Sequence, residues 1–457
     1  MSDEIDKYRK VSVIGAARSG IAAAKLFKKK GFEVFLSDST EEKKINPFFV
    51  KEISDSAINA ELGKHTNLVY EADLMIVSPG VPQDSEVIQT AIKKGIDVVS
   101  EVEAASWFCR GKIISITGTN GKTTTTTLIG EIFKDAGYKT FVCGNIGTAF
   151  SDVVENADEN SVIALETSSF QLDNIKNFKP FIAILLNITP DHLDRYGKSY
   201  KKYIASKMRV TENQTECDYF VYNFDDETTR NSITNNVKPK QIVFSMGSNI
   251  KEKFEAGAFI DNHNLIYFYN KGEENLIDTR RLNIKGQHNV YNSMASVIAA
   301  KVFGVKKESI KKTLENFKGV EHRLEFVREL NGIKFYNDSK ATNVNSVWYA
   351  LQGFDKPIVL ILGGRDKGND YSQIENEVKK YVKHIVAIGE SKQKVYDFFK
   401  NIVPVSIAND MEDAVDKAAS AARKNEIVLL SPACASFDMY ENFEHRGKEF
   451  KKAVNSL

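Results

Sequence analysis

The feature that most constrains this chain is short. The run Ile113-Ile114-Ser115-Ile116 leads into Thr117-Gly118-Thr119-Asn120-Gly121-Lys122-Thr123-Thr124 and then into a helix-compatible segment over 123–136. A buried strand, a glycine-bracketed turn and a helix, in that order, form the layout of a phosphate-binding loop. Free N–H groups at the helix start, with the helix dipole, favour an anion there. Gly118 and Gly121 let the backbone close around phosphate oxygens, Lys122 adds a point charge, and Thr123 offers a hydroxyl to a magnesium ion. The spacing is the shorter Gly-x-x-Gly-Lys-Thr form, since Ile116 stands where the longer form has its first glycine. A loop of this kind needs a largely parallel sheet with helices on its faces, so an α/β fold is expected around it.

The first hundred residues repeat the theme. A strand over 11–14 enters Gly15-Ala16-Ala17-Arg18-Ser19-Gly20, a helix runs to about Gly31, and a second strand over 34–36 ends at Asp38. A βαβ start with an acid about 20 residues on is the dinucleotide-binding layout. Ala17 stands at the middle glycine position, however, and its Cβ hinders close approach of a pyrophosphate. NAD is therefore disfavoured, and a uridine-type nucleotide or a purely structural Rossmann-like unit fits better. A strand over 74–77 ends at Ser78-Pro79-Gly80, a loop at a strand carboxyl end, where open α/β sheets place ligands.

Past the phosphate loop, a strand over 141–143 turns at Gly144-Asn145-Ile146-Gly147, and one over 162–165 ends at Glu166, the acid expected to hold or contact magnesium. A strand over 181–186 leads into Asn187-Ile188-Thr189-Pro190-Asp191-His192-Leu193-Asp194, where His192 sits among acids. A helix over 200–210 puts Lys207 on the face of Tyr203 and Ile204. Lys207 is either a snorkelling surface lysine or a half-buried one that loses its proton and becomes nucleophilic. Strands over 219–222 and 242–244 extend the same sheet, and 249–285 reads as irregular β-structure. A helix from about Gly286 to Phe303 sets Asn289 and Asn292 one turn apart, able to face one ligand. A boundary falls near Gly319. Beyond it come a hairpin over 326–335, the polar stretch Asn337-Asp338-Ser339-Lys340-Ala341-Thr342-Asn343, a helix over 344–351, and strands over 357–362, 385–388 and 427–430 with polar loops at their ends.

Composition narrows the setting. At 457 residues the chain has room for about three domains. Its net charge of +1 gives no bulk electrostatic case for nucleic acid or a membrane surface. No apolar run approaches the ~20 residues that span a bilayer, and residues 1–10 are polar and of mixed charge, so no leader is expected. Cys109, Cys143, Cys217 and Cys434 are scattered without metal-type spacing and are expected to be reduced thiols in a cytoplasmic protein.

Taken together, the motifs resemble the Mur ligase family over the whole chain. The loop Gly118-Thr119-Asn120-Gly121-Lys122-Thr123 and the pair His288-Asn289 are shared by Mur ligases and folylpolyglutamate synthetases. Asn337 to Asn343, the stretch Ser431-Pro432-Ala433-Cys434-Ala435-Ser436-Phe437-Asp438 and the cluster Asn442, Phe443, Glu444, Arg446 and Gly447 look like the branch that adds D-glutamate. The Asp-Asn-Pro-Arg stretch of the diaminopimelate- or lysine-adding branch is not seen. Arg18-Ser19 stands where the D-glutamate branch often has Leu-Thr. The alternatives are another Mur ligase, a folylpolyglutamate synthetase, or a nucleotide-binding regulator without ligase activity.

The resemblance implies three domains: a Rossmann-like one over 1–103 for a UDP-sugar, a central parallel-sheet ATPase-type one over 104–319, and a Rossmann-like α/β one over 320–457 for D-glutamate. It implies a monomer that joins D-glutamate to UDP-N-acetylmuramoyl-L-alanine with ATP, through an acyl phosphate, in peptidoglycan precursor synthesis. Lys122, Glu166, His192 and Lys207 would be catalytic. Two magnesium ions would be held by Thr123, Glu166, His192 and Lys207, the last carbamylated by carbon dioxide. ATP would meet 118–124 including Thr124, with Asn289 and Asn292 at adenine and Arg323, Asp338 and Lys340 at phosphates and ribose once a hinge near 318–322 closes. The UDP-sugar would meet Arg18, Ser19, Asp38, Ser39, Ser78, Asn145 and His192. D-Glutamate would meet Thr342, Lys367, Ser436, Phe437 and the backbone of Phe443.

Overall fold

A computed structural model describes residues 5–234, 237–366 and 368–457. The chain forms two compact units. One holds the chain up to Leu282 with Tyr291–Glu315, and the other holds Asn283–Val290 with Asn316–Leu457.

The first unit contains two sheets. In the first, β1 (Lys10–Ile14), β2 (Glu33–Asp38), β3 (Asn59–Leu62), β4 (Leu74–Val77) and β5 (Asp97–Ser100) lie in the order β3-β2-β1-β4-β5. All are parallel, as a Rossmann-like unit requires. The helix Arg18–Lys29 buries Ile21, Leu26 and Phe27 and turns Lys25 and Lys28 outward, the 3.6-residue stripe of a helix on a sheet. The second sheet has nine strands: β6 (Lys112–Thr117), β7 (Thr140–Gly144), β8 (Val162–Glu166), β9 (Ile182–Leu185), β10 (Tyr219–Asn223), β11 (Lys240–Ser245), β12 (Ala256–Asp261), β13 (Asn264–Tyr269) and β14 (Gly272–Asp278). Their order is β14-β13-β12-β11-β10-β9-β6-β8-β7. Every residue of β8 and β9 is buried, the continuous apolar run of a strand covered on both faces.

Residues 249–285 are more regular than their sequence suggests. β12, β13 and β14 form an antiparallel meander. Asn262 and His263, both at positive φ (44° and 66°), make the two-residue turn between β12 and β13. That turn carries no Asn-Gly or Asp-Gly pair, the signal by which such hairpins are read.

The two sheets of this unit are tied by Glu103, which is fully buried. Its carboxylate accepts the N–H groups of Lys176, Asn177 and Phe178 at 2.7–3.0 Å, together with the indole N–H of Trp107 at 2.8 Å. These satisfied, charge-assisted bonds are what makes a buried carboxylate tolerable.

The second unit is built on a six-stranded sheet: β15 (Glu325–Leu330), β16 (Ile333–Asn337), β17 (Ile358–Leu362), β18 (Val382–Ala387), β19 (Val405–Ile407) and β20 (Ile427–Leu430), in the order β15-β16-β20-β17-β18-β19. Only the β15–β16 hairpin is antiparallel. The period of two divides its core cleanly. Ile358, Leu360, Leu362 and Leu429 pack on one face, and Val359, Ile361, Val428 and Leu430 pack on the other. No helix among the described residues is long and apolar enough to cross a membrane. All four cysteines are free thiols.

Candidate active site

In each sheet the strand order reverses at a switch point, and loops at the strand carboxyl ends gather there. In the second sheet β6 lies between β8 and β9, so the loops after these three strands meet. Gly121, with φ 84°, turns the chain from β6 into the helix Lys122–Asp135. That helix begins Lys-Thr-Thr-Thr-Thr-Thr, β-branched residues with poor helix propensity. Tertiary packing overrides propensity: Thr123 to Thr126 are all buried, and Thr126 Oγ1 donates to the Lys122 carbonyl at 2.8 Å.

The segment after β9 is zipped to the phosphate loop. The Thr119 N–H donates to the Asn187 carbonyl at 2.9 Å. The Asn120 N–H donates to Asn187 Oδ1 at 2.9 Å, and Asn187 Nδ2 donates to the Asn120 carbonyl at 3.1 Å. Thr119 Oγ1 donates to the Thr189 carbonyl and accepts the Thr189 N–H, both at 3.0 Å, and lies 3.1 Å from the Tyr203 hydroxyl. From the other side, Asn292 Oδ1 accepts from Thr125 Oγ1 at 3.2 Å. Asn289 donates to the Lys285 carbonyl at 2.8 Å.

Two lysines converge on one carbonyl. Lys122 Nζ donates to Gly118 and Thr119 oxygens at 2.8 Å, and Lys207 Nζ donates to the Gly118 oxygen at 2.9 Å. Lys207 is buried, so it is not a snorkelling surface lysine. Burial, followed by the nearby charge of Lys122, pushes its pKa well below the ordinary range, against the opposing pull of Asp191, Asp173 and Glu166. A neutral amine at this position is a nucleophile.

Glu166, at the end of β8, is buried. Its Oε1 accepts from Asn145 Nδ2 at 2.9 Å, while Oε2 is buried without a hydrogen-bond partner. Asn120 Nδ2 is likewise buried and unpartnered. Such groups are expensive unless something meets them. An orphaned carboxylate oxygen suits a hard cation, and an orphaned amide donor suits an anionic oxygen. Thr123 and Thr124 are buried at the start of the adjoining helix. His192 stands at φ 51° with its ring edge on Phe170 (centroids 5.1 Å) and Nε2 3.5 Å from the Asp191 carboxylate. Loss of solvent, with Lys122 and Lys207 adding to it, lowers the pKa of its imidazole against the pull of Asp191 and Asp194.

In the first sheet the Asp38 carboxylate accepts the Ala16 N–H and the Thr40 N–H, both at 2.7 Å, and so braces the loops after β1 and β2. Ser78 is buried, with Oγ donating to the Gly15 carbonyl at 3.3 Å. Arg18 is exposed and reaches the Gly144 carbonyl at 3.4 Å; Ser19 is half-buried, and Ser39 is exposed.

In the second unit β20 lies between β16 and β17, and its loop is the hub. Asp338 is fully buried; Oδ2 accepts from Ser431 Oγ at 2.7 Å and Oδ1 accepts the Leu324 N–H at 3.2 Å. Burial drives its pKa up to about 7, against the pull of Ser431, Arg323, the Leu324 N–H and Arg446. Arg446, named in the sequence only as part of the resemblance and given no role there, is buried and joins two loops: Nε donates to Ser339 Oγ at 2.9 Å, Nη2 to the Ser339 carbonyl at 2.7 Å, and Nη1 to the Cys434 carbonyl at 3.0 Å. Ser339 Oγ in turn donates to the Phe443 carbonyl at 2.8 Å. Lys340 Nζ lies 5.4 Å from the Phe443 ring centre, Thr342 and Arg323 are half-buried, Ser436 is buried and Phe437 is exposed. Lys367 falls outside the described residues. Glu321, His322 and Glu325 also converge, but Lys451 Nζ already pairs both glutamates, at 2.6 and 2.9 Å.

Comparison with known proteins fits this geometry. The sequence model of the Mur ligase MurD-like N-terminal domain matches residues 9–100, that of the Mur ligase middle domain matches 116–300, and that of the Mur ligase glutamate ligase domain matches 322–434. The chain belongs to the Mur ligase family. The UDP-N-acetylmuramoylalanine--D-glutamate ligase of Chloroherpeton thalassium is 44% identical to this Mur ligase, with 100% of both chains covered. The ligase of that name from Salinibacter ruber is also 44% identical, covering 100% of this chain and 99% of its own. Among solved structures, UDP-N-acetylmuramate-alanine ligase MurC from Thermotoga maritima shares the fold with a TM-score of 0.60 at 18% identity, covering 98% of this Mur ligase and 99% of MurC. E. coli FolC shares it with a TM-score of 0.59 at 15% identity, covering 78% of this chain and 92% of its own.

Proposed function

We propose that this Mur ligase joins D-glutamate to UDP-N-acetylmuramoyl-L-alanine at the expense of ATP, forming an amide and releasing ADP and phosphate. The relatives that carry this name match over the full chain and supply the substrates. The geometric observation that carries the chemistry is the buried, unpartnered Glu166 oxygen beside a phosphate loop on which Lys122 and Lys207 converge.

A carboxylate does not accept an amine directly, because oxide is a poor leaving group. The substrate carboxylate first attacks the γ-phosphorus of ATP, ADP departs, and an acyl phosphate forms. Both partners are anionic, so cations must offset their repulsion and hold them in line. Lys122 supplies one such charge, and Asn120 Nδ2 supplies a donor to a phosphate oxygen. Thr123 and Glu166 would hold one magnesium ion, and His192 with a carbamylated Lys207 would hold a second. Bound there, the metal supplies charge neutralisation at the transferring phosphoryl group. The neutral amine of Lys207 is the form that adds to carbon dioxide. The D-glutamate amine then attacks the acyl carbon, and phosphate leaves.

Residues 1–103 would bind the UDP-sugar through Arg18, Ser19, Asp38, Ser39, Ser78, Asn145 and His192. Residues 104–319 would bind ATP through the loop 118–124, Asn289 and Asn292. Residues 320–457 would bind D-glutamate through Thr342, Lys367, Ser436, Phe437 and Phe443, with Arg323, Asp338 and Lys340 serving ATP. The enzyme would act as a cytoplasmic monomer. The test is phosphate release from ATP with magnesium and UDP-N-acetylmuramoyl-L-alanine, with D-glutamate, L-glutamate, L-lysine or no amine added. Release that depends on D-glutamate is the expected result. Absence of release with every amine tested removes the substrate assignment.

A further inference from the structure

Arg195 does something the reaction outlined above does not use. It lies two residues beyond the start of the 3-10 turn Leu193–Tyr196 that follows His192, and its backbone N–H donates to the His192 carbonyl at 3.0 Å. Its guanidinium reaches the loop after β4 in the other sheet of the same unit. There it addresses three consecutive carbonyls: Nη2 donates to Pro79 at 3.1 Å and Val81 at 2.9 Å, and Nη1 donates to Gly80 at 3.2 Å. The guanidinium also lies 4.1 Å over the Phe170 ring, the ring on which His192 rests. Among the described residues no carboxylate forms an ion pair with it.

We infer that Arg195 is a positioning residue for the sugar-nucleotide substrate, holding the loop 78–81 in register with His192. The inference rests on the proposed substrate. In a planar trans peptide the carbonyl and the next N–H point in opposite directions. Fixing the Pro79 carbonyl toward Arg195 therefore aims the Gly80 N–H away from it. Five N–H groups in a rigid planar fork let arginine hold three consecutive carbonyls in a fixed geometry, which the three rotatable donors on the single nitrogen of lysine do not reproduce. The same residue holds the loop 78–81 through its side chain and His192 through its backbone, so it fixes their separation. The charge left without a carboxylate partner adds attraction for a dianionic diphosphate.

The test uses the full-length enzyme with Arg195→Ala and Arg195→Lys, with binding of UDP-N-acetylmuramoyl-L-alanine measured by calorimetry beside steady-state kinetics. Expected for Arg195→Ala is a rise of about tenfold or more in Kd and KM for the sugar nucleotide, with KM for ATP and D-glutamate within about twofold of the parent. Arg195→Lys keeps the charge and loses the fork, so it recovers only part of the affinity and guards against a misfolded alanine variant. Equal sugar-nucleotide affinity in the parent and both variants overturns the inference and leaves the proposed function standing. A parent enzyme that does not bind the sugar nucleotide overturns both. A parallel rise in all three KM values marks a general structural role and also overturns the inference.

Discussion

The side-chain amide of Asn187 pairs with both backbone groups of Asn120, accepting its N–H at 2.9 Å and donating to its carbonyl at 3.1 Å. A side chain here behaves like one more strand residue and clamps the tip of the phosphate loop. Asn187→Asp keeps the acceptor but replaces the donor with a charge facing a carbonyl. Asn187→Leu removes both bonds and leaves half-buried backbone groups unmet, at about 1 kcal/mol each. Both variants are expected to raise KM for ATP by roughly tenfold or more while KM for D-glutamate holds. Equal changes in both constants would refute a role confined to the loop.

Gly121 and Gly137 share a left-handed backbone, with φ 84° and 85°. A Cβ at Gly121 would lie 2.4 Å from Asn292 Oδ1, whereas one at Gly137 meets nothing within 4 Å. Alanine at either site bears the left-handed penalty of about 1–2 kcal/mol. Gly137→Ala is therefore expected to lower the melting temperature by a few degrees without changing ATP affinity. Gly121→Ala is expected to abolish measurable ATP binding, because Asn292 has to move out of the loop. Calorimetric titration with a non-hydrolysable ATP analogue separates the two.

Burial, beside the charge of Lys122, pushes the pKa of Lys207 well below the ordinary lysine range. With a carbamate proposed on it, Lys207→Ala is expected to lose activity by about 100-fold or more. Formate or another short carboxylic acid should restore part of that loss by offering the missing oxygens, while sodium chloride at equal ionic strength should not. A variant that keeps its activity, or one that salt rescues equally, would rule out the carbamate. Mass measured on enzyme kept under bicarbonate gives a readout independent of turnover.

Asp338 retains its proton to about pH 7, while in the unfolded chain it titrates near 3.9. Between those values the folded state binds a proton that the unfolded state has released, so the contribution of Asp338 falls as pH rises through the window. The slope is at most about 1.4 kcal/mol per pH unit. Asp338→Asn mimics the neutral form and lacks this term. Relative to the variant, the parent is expected to lose thermal stability from pH 5 to pH 8. Parallel melting curves across that range would show that Asp338 is ionised in the fold.

The sequence by itself determined the alternation of strand and helix, the phosphate loop and the acid that ends β8. These are local facts: apolar runs of four or five residues, glycines where a turn must close, and a lysine and threonine at a helix start. The same locality explains what sequence left open. The meander over 256–278 turns on Asn262 and His263, which carry no glycine signal, and it is stabilised by strand neighbours. The helix after Lys122 was legible from the phosphate-loop layout, but its threonine run has poor helix propensity, and what holds it is the packing of Thr123 to Thr126. Lys207 could be read as exposed or half-buried, and only its place under the Gly118 carbonyl decided that it is buried. Asn187, Arg195 and Arg446 act across 67, 114 to 116, and 107 residues of chain. No spacing rule connects partners so far apart. They meet because parallel sheets gather the carboxyl ends of their strands at one edge, and that gathering is a property of the tertiary structure.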